Sequence, residues 1–216
     1  MSLDFNGSPQ SGYTSASTDF QFTGDYSETF WFNADAYGGT PYMVDYAGTS
    51  NILVYYISAG GAIGLFIGGG LAITGGSVTL GKWHMYTMTR SGTTMTLYLD
   101  AVQVNSGTQA GTLGSSTLGK RFAVNGAGSG NFFNGRMANY ETYKGKVLSL
   151  AEIESKYHSR GVDNIVDNQV FNCRFNEGST GTNPTANQPI DISKGGHTVT
   201  VHTSCTYIAS TFRTIK

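Results

Sequence analysis

The clearest pattern of hydrophobic and polar positions lies in residues 82–104 and predicts a β-hairpin. Residues 83–89 are almost wholly β-favouring, residues 90–93 supply a tight turn, and residues 95–99 alternate apolar with polar side chains. Such alternation buries one face of a strand and leaves the other face wet or covered, as in antiparallel sandwiches. The segment therefore predicts a hairpin within an antiparallel sheet.

Shorter runs of apolar, β-branched and aromatic residues predict further strands on both sides of this hairpin. Glycine pairs at Gly38, Gly60, Gly68 and Gly75 mark most of the turns, at intervals typical of a sandwich or jelly roll. The expected strands are residues 2–7, 20–22, 28–33, 42–46, 52–58, 62–67, 117–125 and 131–140, and in the tail 170–175 and 197–203. This series predicts an all-β protein.

Residues 149–160 predict one short helix. Ser149 and Glu152 form a capping box, in which each side chain satisfies a free backbone donor of the other residue. Leu148 and Ile153 occupy the positions of a hydrophobic staple. Gly161 is expected to end the helix in a left-handed conformation.

The composition of the chain argues against a nucleic-acid-binding protein and against a membrane protein. Of 216 residues 12% are charged, 30 are glycine, and the net charge is −1, so there is no basic stripe for phosphates and we expect no nucleic-acid partner. No apolar run approaches the length of a membrane span, and the opening MSLDFNG lacks the pattern of a signal sequence, so we expect neither membrane insertion nor a self-encoded leader. We predict a single domain over 1–216, in which 170–210 is a terminal strand segment that closes the sheet.

The two cysteines, Cys173 and Cys205, lie near the ends of the C-terminal segment and could form one bridge. Because no export signal is visible, the free thiols are favoured.

The sequence lacks the motifs that nucleotide binding and glycoside hydrolysis require. Residues 76–82 and 114–120 match G-x-x-x-x-G-K, but Trp83 and Arg121 follow where a phosphate loop needs Ser or Thr, and both segments lead into strands. A glycosidase of this architecture would present paired carboxylates from one strand face. The alternate acids Glu152 and Glu154 lie instead on the predicted helix, where they point apart.

Calcium is the metal considered for this chain, because loop carboxylates and carbonyls suffice to bind it, whereas the four histidines lack zinc-ligand spacing. The candidate calcium ligands are Asp4, Glu177 and Asp191. The alternative for these scattered acids is a role in turns.

Aromatic side chains are the remaining candidates for ligand binding, because sugar rings stack their apolar C–H faces on tyrosine. The candidate ligand-binding residues are Tyr37, Tyr42, Tyr56 and Tyr98. The alternative is that these rings belong to the core or to an interface, where aromatics are abundant.

Several motifs in order resemble the laminin-G-like, concanavalin-A-like lectin-glucanase jelly-roll superfamily. They are LDFNG at 3–7, FWFN at 30–33, GKWH at 81–84 continuing to the Thr-Arg of 89–90, LYLD at 97–100, FNGRM at 133–137 and LSLAEI at 148–153. The resemblance covers about residues 1–160. The usual Asp-Gly turn of the family is replaced by Asp100-Ala101, which predicts a longer turn.

The resemblance implies a two-sheet antiparallel jelly-roll sandwich with one short helix near 149–160, binding glycans or proteins at its rim loops, in some members with calcium. The E-x-D-x-x-E strand of the related glucanases is absent from this sequence. We expect a non-enzymatic surface module of a virion, docked to a capsid or tail protein as a decoration or fibre module, with adhesion to host glycans and homo-oligomerisation as further expectations. The alternative is a free, extracellular carbohydrate-binding lectin, and after it a glycoside hydrolase.

Overall fold

The computed structural model describes residues 1–46, 53–68, 71–113 and 119–209. In these ranges the chain forms one α-helix, α1 (Leu150–Ser159), a 3-10 helix (Thr18–Phe20) and fifteen strands. The strands are β1 (Ser2–Asn6), β2 (Gly12–Thr14), β3 (Tyr26–Ala36), β4 (Tyr42–Tyr46), β5 (Leu53–Ile57), β6 (Ile63–Ile67), β7 (Leu71–Gly75), β8 (Trp83–Ser91), β9 (Thr94–Leu99), β10 (Val102–Thr108), β11 (Lys120–Phe122), β12 (Asn134–Lys144), β13 (Gln169–Cys173), β14 (Val199–Val201) and β15 (Thr206–Ile208).

Two antiparallel sheets face each other across one hydrophobic core. Sheet A has the order β10-β9-β8-β3-β12-β1-β15, and β13 pairs with β12 beyond the end of β1. Sheet B has the order β14-β2-β11-β4-β5-β6-β7. The predicted all-β jelly-roll sandwich with one short helix is confirmed.

Alternating strand positions supply the core. On β3, the rings of Phe30 and Phe32 point inwards between the sheets, whereas Trp31 points to the outer face of sheet A. Phe30 stacks on Tyr86 and on Tyr140, each with ring centroids 5.0 Å apart. This aromatic layer stabilises the packing of the two sheets, because each ring buries a large apolar area.

The C-terminal segment contributes strands to both sheets. β13 and β15 join sheet A, and β14 forms an edge of sheet B. The assignment of 1–216 to a single domain stays a prediction, since residues 210–216 lie outside the described ranges.

The predicted central hairpin is present as β8 and β9, but the turn after β9 is not longer than usual. Leu99 pairs directly with Val102, and both intervening residues adopt left-handed conformations, with φ of 54° at Asp100 and 65° at Ala101. The Asp100 carboxylate fixes this turn, since it accepts the Met85 N–H at 2.8 Å. This hydrogen bond offsets the strain of the left-handed conformation at Ala101, a strain that glycine would not have.

Three strand predictions require correction. The strand expected at 20–22 is absent: Phe20 is the last residue of the 3-10 helix, and Phe22 makes only an isolated bridge to Leu113. β11 is shorter than the strand expected at 117–125. Residues 117 and 118 of that strand, and residue 52 of the strand expected at 52–58, lie outside the described residues. β12 is shifted to Asn134–Lys144 from the expected 131–140 because the preceding segment turns along β4, where Tyr42 donates to the Asn131 carbonyl at 2.8 Å.

The predicted helix and its capping box are confirmed. Ser149 and Glu152 bond reciprocally at the N-terminus, and at the C-terminus both Arg160 (φ 52°) and Gly161 (φ 71°) are left-handed. Ile153 packs with Leu148 on the outer face of sheet A. α1 therefore covers part of that face.

Both cysteines are buried as free thiols, as the sequence favoured. Burial raises the pKa of Cys205 to about 12, so this thiol stays protonated and unreactive in the folded protein.

Candidate functional site

The outer face of sheet B carries aromatic and charged side chains, of which Tyr13 and Phe66 are exposed and Arg121 is half-buried. Pairing places outward-facing residues of neighbouring strands side by side: Tyr13 lies opposite Arg121, which lies opposite Asp45. The next row brings Tyr56 opposite Tyr42, with Phe66 nearby on β6. We call these residues the outer strip: Tyr13, Arg121, Asp45, Tyr42, Tyr56 and Phe66.

An aromatic shelf forms one end of the outer strip. Tyr42, Tyr56 and Phe66 line a cleft of about 360 Å³ together with Thr40 and Ser58. Phe66 is 39% exposed, which is unusual for a large apolar ring on a strand. The shelf thus offers apolar ring surface bordered by hydroxyl groups.

Gly64 determines how the Tyr56 ring lies. Gly64 is the register partner of Tyr56 on β6, and a Cβ at this glycine would stand 2.3 Å from Tyr56 Cζ. The tyrosine ring therefore lies across the glycine backbone. A glycine is needed here because the ring occupies the place of its side chain.

A polar cleft forms the other end of the outer strip. Its volume is also about 360 Å³, and Tyr13, Arg121, Thr200 and His202 are among its lining residues. The Arg121 guanidinium lies over the Tyr13 ring, 5.1 Å from its centroid. Within the described part of the chain Arg121 has no hydrogen-bond or ion-pair partner, so its donors are available to a ligand.

Asp45 lies between the shelf and the polar cleft. Its side chain is buried, with Oδ2 accepting the Gly126 N–H at 2.7 Å, while Oδ1 has no partner among the described residues. Burial raises the pKa of Asp45 to about 6, and the Gly126 N–H and the Arg121 charge oppose the rise. A buried carboxylate oxygen without a donor costs free energy, so the ionised form of Asp45 destabilises the fold.

The structure separates the four candidate tyrosines. Tyr42 and Tyr56 lie together on the shelf. Tyr98 lies on the outer face of sheet A, packed with the cluster under α1. Tyr37 packs against the core, and its ring would touch a Cβ at Gly61 at 3.0 Å. Tyr37 and Tyr98 thus have the packing roles that the sequence left open as the alternative.

The three candidate calcium ligands have separate partners. Asp191 accepts bonds from three backbone N–H groups and lies 2.7 Å from His197 Nδ1, which together lower its pKa to about 2 against the effect of burial. Asp4 lies 3.6 Å from Arg136, and Glu177 accepts the Ile190 N–H. Among the described residues no group of three or more His, Cys, Asp and Glu side chains could hold a metal ion.

The sequence did not indicate Tyr13, Arg121, Asp45 or Phe66. The signal that could have found them is period-two alternation: Asp45 and Phe66 are each flanked by core residues, so each must point away from the core. Their proximity is set by strands distant in sequence, which no local pattern reveals.

Elsewhere, the strongly buried carboxylates are paired with lysines. Lys120 Nζ lies 2.6 Å from Glu28 Oε1 in the core, and Lys156 Nζ lies 2.6 Å from Glu141 Oε2 beneath α1. Neither pair belongs to the outer strip.

Both sheets and the position of α1 define a lectin-type β-sandwich. The chain belongs to the concanavalin A-like lectin/glucanases superfamily, whose laminin G family matches residues 6–154. No curated protein matches the sequence at a significant level.

Solved structures show the same fold at low identity. A candidate carbohydrate-binding protein from Bacteroides ovatus is 12% identical with a TM-score of 0.68, over 97% of this chain and 61% of its own length. A heptameric SAP-like pentraxin from Limulus polyphemus is 13% identical with a TM-score of 0.62, over 94% of each chain. A sialidase from Trypanosoma rangeli, 16% identical with a TM-score of 0.58, matches over 74% of this chain and 28% of its own length. At these identities the likeness shows the fold alone.

In the described ranges no helix is both long enough and apolar enough to span a membrane.

Proposed function

We propose that this chain is a non-catalytic carbohydrate-binding module that holds a glycan along the outer strip. The observation that carries the proposal is the placement of the aromatic shelf and of Arg121 on the same open face of sheet B. The likeness to a candidate carbohydrate-binding protein supports it.

The chemistry of the outer strip matches that of a sugar. Pyranose rings have apolar C–H faces and a rim of hydroxyl groups, so they require a flat apolar surface next to directional hydrogen-bonding groups. Tyr56 and Phe66 provide the apolar surface. Arg121 can donate to a sugar hydroxyl and the hydroxyl groups of Thr40 and Ser58 can accept from one, which suits the two roles of a sugar hydroxyl.

We also propose that the module does not hydrolyse the glycan that it binds. Hydrolysis of a glycosidic bond by acid and base requires two carboxyl groups on either side of that bond. In the outer strip as described, Asp45 stands alone as a carboxylate, next to an arginine. A sugar bound there would meet one proton-accepting group and no matching acid.

As the setting of the module we propose the surface of a virion, docked to a capsid or tail protein, with an extracellular lectin as the alternative. The low content of charge supports this setting. Assembly into a homo-oligomer is proposed from the likeness to a pentraxin that is itself heptameric. Incubation of the purified protein with undecorated particles tests the setting, and failure to sediment with them would leave the extracellular lectin.

A glycan array followed by calorimetry tests the binding proposal. We expect Tyr56→Ala to weaken binding of the best glycan by about threefold to tenfold, the value of one aromatic contact. Tyr98→Ala is the matched control, because it removes a tyrosine from the outer face of the other sheet and should leave the affinity unchanged. Equal losses in the two variants, or no glycan bound by the wild type, would contradict the proposal, and release of reducing sugar would contradict its non-catalytic part.

A further inference from the structure

The buried Glu28–Lys120 pair joins the two sheets through the middle of the core. Glu28 lies on β3 of sheet A and Lys120 on β11 of sheet B. Both side chains are fully buried, at 0% exposure, and Nζ lies 2.6 Å from Oε1. The amine and the carboxyl group are thus held in contact where bulk water does not reach.

Aromatic rings surround the lysine nitrogen. Nζ lies 4.4 to 5.0 Å from four ring centroids, those of Phe20, Tyr46, Tyr140 and Phe171. Burial lowers the pKa of Lys120 to about 8, although Glu28 acts in the opposite direction. At this pKa about a tenth of the lysine is the neutral amine at pH 7, which is the nucleophilic form.

Hydroxyl donors surround the carboxyl group of Glu28. Tyr46 and Thr142 donate to Oε1, and Tyr26 and Tyr55 donate to Oε2. Preorganised donors of this kind stabilise negative charge that develops on an oxygen during addition to a carbonyl carbon. The site therefore combines a nucleophile, an acceptor and an oxyanion-stabilising shell in a fixed geometry.

We propose that Lys120 and Glu28 form an intramolecular isopeptide bond after folding. A proton first passes from Nζ to Oε1 along their hydrogen bond, which leaves a neutral amine and a carboxylic acid. The Nζ lone pair then attacks Cδ, and the carbonyl electron pair moves onto Oε2, where Tyr26 and Tyr55 hold it. Nζ gives up one proton to the departing hydroxyl, the C–O bond breaks, and one amide and one water molecule result. The step needs no oxidant, reductant or cofactor.

The second buried pair provides an internal control. Lys156 also lies 2.6 Å from a glutamate oxygen, but it is held by two carboxylates, since Asp163 Oδ1 lies 2.9 Å from its Nζ. Attack on Glu141 Cδ would draw Nζ away from Asp163 and leave that buried carboxylate without its cation. We therefore expect a link between Glu28 and Lys120 and none between Glu141 and Lys156.

Mass spectrometry of the purified, denatured chain tests the proposal. We expect an intact mass lower than the sequence mass by one water molecule, and a linked peptide that joins residues 28 and 120, with no tryptic cleavage after Lys120. Lys120→Arg should restore the sequence mass, whereas the control Lys156→Arg should keep the deficit. If Lys120→Arg does not fold, the linked peptide of the wild type decides the question. An intact mass equal to the sequence mass in folded wild-type protein, or cleavage after Lys120, would overturn the proposal.

Discussion

Replacement of Asp45 by asparagine should stabilise the protein at neutral pH. The Asp45 side chain is 4% exposed, and burial raises its pKa to about 6 from an ordinary value of 3.8. An acid with a raised pKa binds its proton more tightly in the folded state than in the unfolded state. The folded protein therefore loses stability as the pH rises from about 4 to above 6, because its carboxylate must ionise in a buried place.

The magnitude follows from the two pKa values. The difference between about 6 and 3.8, at about 1.4 kcal/mol per pH unit, corresponds to a cost of about 3 kcal/mol at pH 7. Asp45→Asn removes the charge, and its amide oxygen can still accept the Gly126 N–H. For a chain of this size the gain corresponds to a rise in Tm of about 6 to 12 °C at pH 7.

Thermal unfolding of both proteins at pH 4 and pH 7 measures this effect. We expect the variant to be more stable than the wild type at pH 7 and nearly equal to it at pH 4, where the carboxyl group is protonated in the folded state. A variant that is less stable than the wild type at pH 7 would refute the reasoning, because it would show that the ionised carboxylate stabilises the fold.

Three further predictions concern the shelf, the helix and the cysteines. Gly64→Ala should displace the Tyr56 ring and weaken glycan binding about as much as Tyr56→Ala, with little loss of stability since a half-buried ring on the outer face can move aside; unchanged calorimetric affinity would contradict this. Ser149→Ala should lower the free energy of unfolding by about 1 kcal/mol in denaturant titrations, and an unchanged midpoint would show that the capping box contributes nothing. Cys173 and Cys205 should react with a thiol reagent only after unfolding, and rapid labelling of native protein would contradict their burial.

The fold could be predicted from sequence where local pattern and tertiary packing agree. The hairpin of β8 and β9 and the capping box of α1 each depend on residues close together in the chain, and both are present. The strand expected at 20–22 failed because Ser17 caps a helical turn there, with its hydroxyl accepting the Asp19 N–H. Aromatic composition indicated burial correctly at Phe20 and Phe22 but did not determine the backbone conformation.

The candidate site could be predicted only in part, because a sheet surface is assembled from strands far apart in sequence. Tyr42 and Tyr56 were accessible to sequence analysis since tyrosine is a plausible sugar-binding residue wherever it lies. Arg121 and Asp45 were not accessible to sequence analysis, because their position side by side depends on the register that places β11 beside β4. Among the described residues Arg121 forms no ion pair, since its register neighbour Asp45 is buried and accepts the Gly126 N–H. Within the described ranges, an arginine that has no hydrogen-bond or ion-pair partner is a stronger indication of a binding surface than an aromatic ring, since packing accounts for the rings at Tyr37 and Tyr98 but gives no account of Arg121.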